Sequence, residues 1–188
     1  MKVVFFMTNS NSNTQSSRTR ELVLAAILGV LTFLGTYISV PMYPVPITLQ
    51  TLFVLLSGLY LSPYFAALSM VVCLLLRLLI GGFAVVVSPS FGFLIAFIVA
   101  AVVISKVRGD KKLSYVKAVG LLVIGEIILY LIGLPYMTVI LNVYLAKNLS
   151  AFTLLKVGML LFIPGDIVKL LLAAYVYKCL PQLKFLQK

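Results

Sequence analysis

The sequence predicts an all-α integral membrane protein in which six transmembrane helices form one bundle. Hydrophobic residues make up 63% of the 188 residues and charged residues only 10%, whereas a soluble domain carries about 25% charged residues. A helix needs roughly 20 apolar residues to cross a bilayer, so the apolar stretch 21–178 has room for about six helices. The apolar runs lack the period-two alternation of barrel strands. We predict a disordered cytoplasmic tail at 1–20, a six-helix membrane domain at 21–180 and a cytoplasmic tail at 181–188.

Prolines and glycines divide the apolar stretch into helices. The first helix is predicted from 21 to about 39, and the three prolines of PMYPVP, at 41–46, then form a turn. The other helices are predicted at about 47–61, 63–81, 91–105, 118–134 and 152–180. Pro135 is predicted to end the fifth helix, and Pro164 to interrupt the sixth. The connection 81–90, GGFAVVVSPS, is apolar, which predicts that it packs over another part of the protein.

The net charge of +11 could indicate an anionic partner, but the basic residues flank apolar runs in short clusters. This distribution is typical of the positive-inside rule and does not predict nucleic-acid binding. With six helices, two basic residues, Lys147 and Lys156, fall on one side. The other side collects Arg18, Arg20, Lys106, Arg108, Lys111, Lys112, Lys117, Lys178, Lys184 and Lys188. We therefore predict a multi-pass protein of the cytoplasmic membrane with both termini in the cytoplasm.

The chain carries little that could perform catalysis. It has no histidine, two cysteines and four acidic residues, so it lacks a thiolate or imidazole metal cage and any Ser-His or Cys-His pair. No cofactor and no metal site is predicted. One enzymatic alternative stays open, an intramembrane enzyme that uses Asp166 and Glu126 at similar depth on two helices.

Four charged residues fall inside or near the hydrocarbon region: Arg77, Glu126, Asp166 and Lys169. A central Asp or Lys costs about 2.5–3.5 kcal/mol even on the lenient insertion scale. Asp166 and Lys169 are three residues apart and can neutralise each other on one helix face. They form either a self-compensating pair or a site whose polar groups receive a polar ligand. Pro164 and Gly165 favour the second interpretation, because a broken helix at membrane depth lines a cavity.

The other two charges and a pair of small residues on the first helix are interpreted as follows. Arg77 is one turn from the end of the third helix, where snorkelling to the interface explains it. Glu126 lies near mid-membrane, either protonated, with a possible part in proton coupling, or paired with an unidentified partner. Ala25 and Gly29 are small residues four apart on the first helix, which predicts close helix packing within the chain or a docking surface for a partner protein.

Two segments resemble the BioY family, the biotin-binding S components of energy-coupling factor (ECF) transporters. Residues 45–63, VPITLQTLFVLLSGLYLSP, resemble the start of its second helix. Residues 162–174, FIPGDIVKLLLAA, resemble its last-helix motif, including the Asp and Lys already singled out by their cost. The resemblance covers roughly residues 21–180 and implies a six-helix S component that takes up biotin across the membrane.

The resemblance also implies partners. S components rely on a transmembrane coupling protein and two ATPase subunits, although some members work alone. This chain has no G-x-x-x-x-G-K-[ST] run, so ATP would be hydrolysed by another subunit. Ala25 and Gly29 lie where the family places its partner-docking surface.

The resemblance places biotin against Asp166 and Lys169. We predict that Asp166 accepts the ureido N–H groups and that Lys169 binds a carbonyl group or the carboxylate. Further substrate-binding residues are predicted on the second helix and in the apolar connections. They are Thr48, Gln50, Tyr43, Phe83 and Phe93.

The chain departs from the family between its third and fourth helices. There SPSFGF stands in place of a Gly-Pro-Thr-Gly-Gly-Tyr run, and Phe93 replaces the tyrosine. This departure leaves a second hypothesis open, an S component for another vitamin such as riboflavin or thiamine.

Overall fold

The computed structural model describes the backbone of residues 2–180, with the side chains of residue 15 and residues 17–180. Its helices are α1 Lys2–Leu34, α2 Gln50–Tyr60, α3 Pro63–Gly81, α4 Phe91–Arg108, α5 Tyr115–Val139, α6 Ala151–Leu155 and α7 Ile163–Cys179. Turns of π-helix continue α5 at Ile140–Tyr144 and α6 at Lys156–Leu160. A short 3₁₀ helix occupies Gly82–Val85, and two-residue strands β1 Ser39–Val40 and β2 Ile47–Thr48 pair antiparallel between α1 and α2.

The predicted count of six membrane helices is confirmed, because α6 and α7 form one interrupted span. Among the described residues, four segments are long and apolar enough to cross a bilayer: Pro63–Val85, Phe91–Arg108, Tyr115–Tyr144 and Ala151–Cys179. The shorter apolar helix α2 and the apolar half of α1 complete the bundle. The break near Pro164 is also confirmed, since α7 begins at Ile163 after a turn.

The start of α1 and the passage of α5 through Pro135 are the main differences from the sequence prediction. Helix α1 begins at Lys2 rather than at Glu21. The division of the chain into domains at residues 20 and 180 stays a prediction. The predicted tail at 181–188 lies outside the described residues. The predicted break at Pro135 is wrong, since α5 runs through it to Val139. A membrane helix tolerates an internal proline because neighbouring helices and local π turns accommodate the freed backbone groups.

Helix α4 lies at the centre of the bundle, packed against α2, α3 and α5. Its contact with α5 is close because two glycines face bulky side chains. A Cβ atom at Gly92 would overlap Tyr136, and one at Gly133 would overlap the ring of Phe93. Helix α2 packs against α1, α3, α4 and α7, and α7 also packs against α5. This arrangement leaves a space between α3, α4, α5 and α7 beside the first turn of α2.

Candidate functional site

A cavity of about 650 Å³, including the part that opens to solvent, lies at one end of the bundle. The starts of α2, α4 and α7, the last turns of α3 and the middle of α5 surround it. Ten polar or charged residues line it: Thr36, Thr48, Gln50, Thr51, Arg77, Ser90, Glu126, Tyr130, Asp166 and Lys169. The apolar part of the wall consists of Val45, Pro46, Phe93, Leu94, Phe97, Leu129 and Phe162. Apolar walls with a few converging polar groups are typical of small-molecule sites.

Asp166 and Lys169 form a buried ion pair on the cavity wall. Lys169 Nζ lies 2.5 Å from Asp166 Oδ1, and the two residues are 6% and 8% exposed. Nζ also donates to the backbone oxygen of Thr48 at 3.1 Å and to Thr51 Oγ1 at 3.5 Å. An ammonium group has three donors, so each of the three has an acceptor in the protein.

Asp166 keeps capacity for further hydrogen bonds. Its Oδ1 receives Lys169, and its Oδ2 accepts the hydroxyl hydrogen of Tyr130 from α5. A carboxylate offers about four acceptor positions, so about two remain. Its place in the first turn of α7 also suits a negative charge, since the N-terminal end of a helix dipole is positive. The wall can therefore accept N–H donors from a ligand at Asp166.

Glu126 and Tyr130 form one turn of the α5 wall. Glu126 is 8% exposed, and its Oε1 has no hydrogen-bond partner within the described part of the chain. Together with Asp166, these two residues also border an apolar hollow between α5 and α7 on the outside of the bundle. They therefore separate the cavity from the lipid-facing surface of the α5–α7 pair.

Arg77 reaches the cavity from α3. The structure adds a contact that the sequence interpretation did not include, because Arg77 lines the cavity and its Nε is buried without a hydrogen-bond partner among the described residues. The reason is that α3 stands beside the cavity, so a long side chain one turn from the helix end reaches polar groups without leaving the bundle. The cavity thus holds a second cation whose donors are not all used.

The structure brings together five of the seven residues predicted to bind substrate. Thr48, Gln50, Phe93, Asp166 and Lys169 all line the cavity. Thr48 Oγ1 donates to Gln50 Oε1 at 3.2 Å, which orients the amide at the first turn of α2.

Tyr43 and Phe83 do not line the cavity. They are 67% and 82% exposed, because Tyr43 lies in the turn between β1 and β2 and Phe83 on the outer side of the 3₁₀ helix. A contact between either residue and the ligand stays a prediction.

The apolar connection between α3 and α4 packs over the bundle, as its composition predicts. Val85 is buried, and the backbone oxygen of Val86 accepts a hydrogen bond from the Tyr136 hydroxyl at 2.5 Å. Ser88 Oγ donates to the backbone oxygen of Val85 at 2.6 Å. Since Ser90 and Phe93 follow directly and line the cavity, these bonds fix one side of its entrance.

Ala25 and Gly29 face the interior of the bundle. Ala25 is 0% exposed and Gly29 is buried. A Cβ atom at Gly29 would meet the Ser69 backbone oxygen and the Val72 side chain of α3. Their burial favours the interpretation of close packing within the chain, and a contact of these two residues with a partner stays a prediction. Small residues at helical spacing permit close packing of any helix, and here that helix is α3.

Sequence reasoning missed several cavity residues, and one of them had a usable signal. Tyr130 lies four residues after Glu126, so the two side chains share one face of the helix. An ionisable residue inside an apolar helix indicates that this face lines a polar site, and Tyr130 could have been predicted there. Thr36, Thr51 and Ser90 are polar residues near helix ends, and their sequence context is common to solvent-facing positions. Only the packing of α1, α2 and α4 brings them to the cavity.

Comparisons with known proteins agree with this architecture. A sequence model described as the BioY family matches residues 7–184. Similar curated proteins include a probable biotin transporter BioY of Lysinibacillus sphaericus, 35% identical over 85% of this chain and 88% of its own length. Another is the probable biotin transporter BioY of Bacillus subtilis, 36% identical over 82% and 84%. The biotin transporter BioY of Thermotoga maritima is 33% identical over 84% and 93%.

A solved structure has the same fold. It is described as the S-component for biotin from an ECF-type ABC transporter, determined at 2.1 Å. The two structures superpose with a TM-score of 0.74 and 23% sequence identity, over 88% of this chain and 92% of that one. At this level of identity the likeness establishes the fold of the six-helix bundle.

Proposed function

The chain belongs to the BioY family, and from that membership we propose that it takes up biotin across the cytoplasmic membrane as the substrate-binding S component of an ECF-type transporter. The relatives compared above are named as transporters for biotin, and none of the three is named for riboflavin or thiamine. The protein is a membrane transporter component and not an enzyme.

One observation carries the proposal, the ion pair of Asp166 and Lys169 on the wall of a cavity rather than in a sealed core. A buried pair is weak support for stability, since apolar residues of similar volume serve a core equally well. A ligand with N–H donors would explain why the pair lines a cavity, because its hydrogen bonds to the Asp166 carboxylate would be charge-assisted and strong away from water.

The chemistry of biotin suits this wall. Its ureido ring carries two N–H donors and one carbonyl group, and the free acceptor positions of Asp166 suit the two donors. Phe93, Leu94, Phe97 and Leu129 offer an apolar surface for the sulfur-containing ring. Gln50 and Thr48, linked to each other at the start of α2, would complete the polar contacts.

We propose that the ligand enters from outside the cell and that both termini lie in the cytoplasm. The basic residues support this orientation, because five of them lie at the end of α4, in the α4–α5 connection and at the start of α5, at the end of the bundle away from the cavity. They are Lys106, Arg108, Lys111, Lys112 and Lys117. The positive-inside rule assigns such a cluster to the cytoplasm, so the cavity faces outward.

Release of the ligand would need energy from other subunits. We propose that a transmembrane coupling protein and two ATPase subunits supply it, as in ECF transporters. Since Ala25 and Gly29 are buried, the coupling protein would contact the opposite face of α1, where Leu22, Val23, Ala26 and Val30 are exposed.

Equilibrium binding of labelled biotin to the purified full chain tests the ligand. We expect saturable binding that unlabelled biotin displaces and that riboflavin and thiamine do not. Displacement by riboflavin or thiamine instead would assign the chain to another vitamin.

Uptake into cells tests the partners. We expect labelled biotin to accumulate when the chain is co-expressed with the coupling protein and both ATPase subunits. Equal uptake by the chain alone would show that the subunits are not required. Two matched variants distinguish a docking defect from general damage to the protein. Ala26→Trp changes the exposed face of α1 and should reduce uptake with the subunits, whereas Gly120→Trp changes an exposed position of α5 and should not.

A further inference from the structure

We propose that Arg77 binds the carboxylate of the ligand and that Lys169 serves instead to position Asp166. The proposal rests on the proposed function, since it assigns one end of biotin to a residue that lies outside both BioY-like segments. It divides the cavity between two charged ends, with Asp166 for the ureido ring and Arg77 for the acid.

Lys169 has no donor left for a ligand carboxylate. Its ammonium group already reaches Asp166 Oδ1, the Thr48 backbone oxygen and Thr51 Oγ1. A carboxylate could bind there only by displacing one of these acceptors, and displacing Asp166 would leave a buried carboxylate without its counter-ion. The lysine therefore fixes Asp166 to α2, which is a positioning function.

Arg77 has the capacity that Lys169 lacks. Its Nε is buried and has no hydrogen-bond partner, and no carboxylate of the described residues lies within 4.0 Å of its guanidinium nitrogens. Leaving a buried charged donor unsatisfied costs free energy, and a ligand carboxylate would remove that cost. A guanidinium group also presents two parallel N–H donors that match a carboxylate.

The two charged ends lie on separate walls of the cavity. Arg77 is on α3, Asp166 and Lys169 are on α7, and α2 packs against both helices between them. The apolar residues Phe93, Leu94 and Phe97 of α4 contribute the wall that faces α2. A ligand that contacts both groups needs N–H donors for Asp166, an anion for Arg77 and an apolar part for the wall formed by α4. Biotin has this distribution of groups.

The charge of Asp166 supports the assignment by its position. Asp166 lies on the side of the cavity where Tyr130 and Lys169 also lie. Its carboxylate disfavours the acid group of a ligand there, because like charges repel strongly in a site of low dielectric constant. The acid end of the ligand is therefore directed towards Arg77.

A comparison of two ligands on two variants tests the proposal. Binding of biotin and of biotinamide, in which an uncharged amide replaces the carboxylate, is measured on the purified full chain and on Arg77→Gln. We expect the wild type to prefer biotin by at least about tenfold, the size of a hydrogen-bonded charge contact. Arg77→Gln should lose that preference and bind biotinamide within about twofold of the wild type.

Two further variants complete the test. Arg77→Lys keeps the charge without the paired donors and should retain part of the preference. Lys156→Gln removes one exposed positive charge from the α6–α7 segment and should bind both ligands like the wild type.

Several results would overturn the assignment. They are equal affinity of the wild type for both ligands, an equal loss of both ligands in Arg77→Gln, and a loss of preference in Lys156→Gln. If the wild type bound biotinamide but not biotin, the acid group would have no site, whereas failure to bind either ligand would contradict the proposed function itself.

Discussion

The hydroxyl group of Tyr130 donates a hydrogen bond to Oδ2 of Asp166 and so links α5 to α7 at the cavity wall. Asp166 is held from its other side by Lys169, which in turn donates to Thr48 just before α2 and to Thr51 in the first turn of α2. One carboxylate thus joins three helices beside the cavity. Its orientation is fixed before a ligand arrives, which reduces the entropy that binding must overcome.

Tyr130→Phe should weaken biotin binding by about tenfold, because a hydrogen bond to a charged group contributes about 1.5–3 kcal/mol. Isothermal titration of the purified protein measures the change. The matched control is Tyr64→Phe, since Tyr64 is exposed on α3, and it should bind like the wild type. Unchanged binding by Tyr130→Phe would show that the bond does not prepare Asp166 for the ligand.

Lys169→Met should destabilise the protein, because it leaves the buried Asp166 carboxylate without its counter-ion. Removing one partner of a buried ion pair costs about 3–5 kcal/mol. Thermal unfolding in detergent should show a lower midpoint for this variant. The double variant Asp166→Asn/Lys169→Met should recover most of that stability and still fail to bind biotin. Recovery of binding as well would mean that the pair is structural.

Gly133→Ala should reduce biotin binding by several-fold, because the added Cβ atom would overlap the Phe93 ring and move it within the cavity wall. Overpacking of this kind costs about 1–3 kcal/mol. The control on the same helix is Gly120→Ala, where an added Cβ atom has no neighbour within 4 Å. Adding Phe93→Leu to Gly133→Ala should relieve the overlap and recover stability. A double variant that is no more stable than Gly133→Ala would argue against this mechanism.

Gly29→Ala should lower the thermal stability of the chain without any partner present, because the new methyl group would meet the Ser69 backbone oxygen of α3. Ala26→Leu, on the exposed face of α1, should leave the stability of the isolated chain unchanged. Equal stability of Gly29→Ala and the wild type would indicate that α1 and α3 are not packed as closely as described.

The charged pair could be predicted from sequence because its cost is local. Asp166 and Lys169 stand three residues apart in an apolar helix after Pro164, and this spacing alone places them on one face. The six-helix bundle also follows from the apolar runs and the prolines between them. Thr48 and Gln50 could be assigned through the family resemblance.

The position of Arg77 could not be predicted, because it depends on how α3 stands against α2 and α4. A long side chain near a helix end suits either the interface or a cavity, and only tertiary packing decides between them. The packing of Ala25 and Gly29 has the same origin, since small residues permit a close neighbour without specifying which one. The predicted break at Pro135 is wrong because the rule that proline ends a helix holds in water and is relaxed inside a bundle.

The central claim, that biotin binds through the Asp166 carboxylate, is tested most directly by equilibrium binding of labelled biotin to Asp166→Asn. The matched control is Asp110→Asn, in the exposed connection between α4 and α5. We expect Asp166→Asn to lose at least about a hundredfold in affinity while it still inserts and folds, since the amide removes a charged acceptor. Affinity equal to that of the wild type and of Asp110→Asn would contradict the claim.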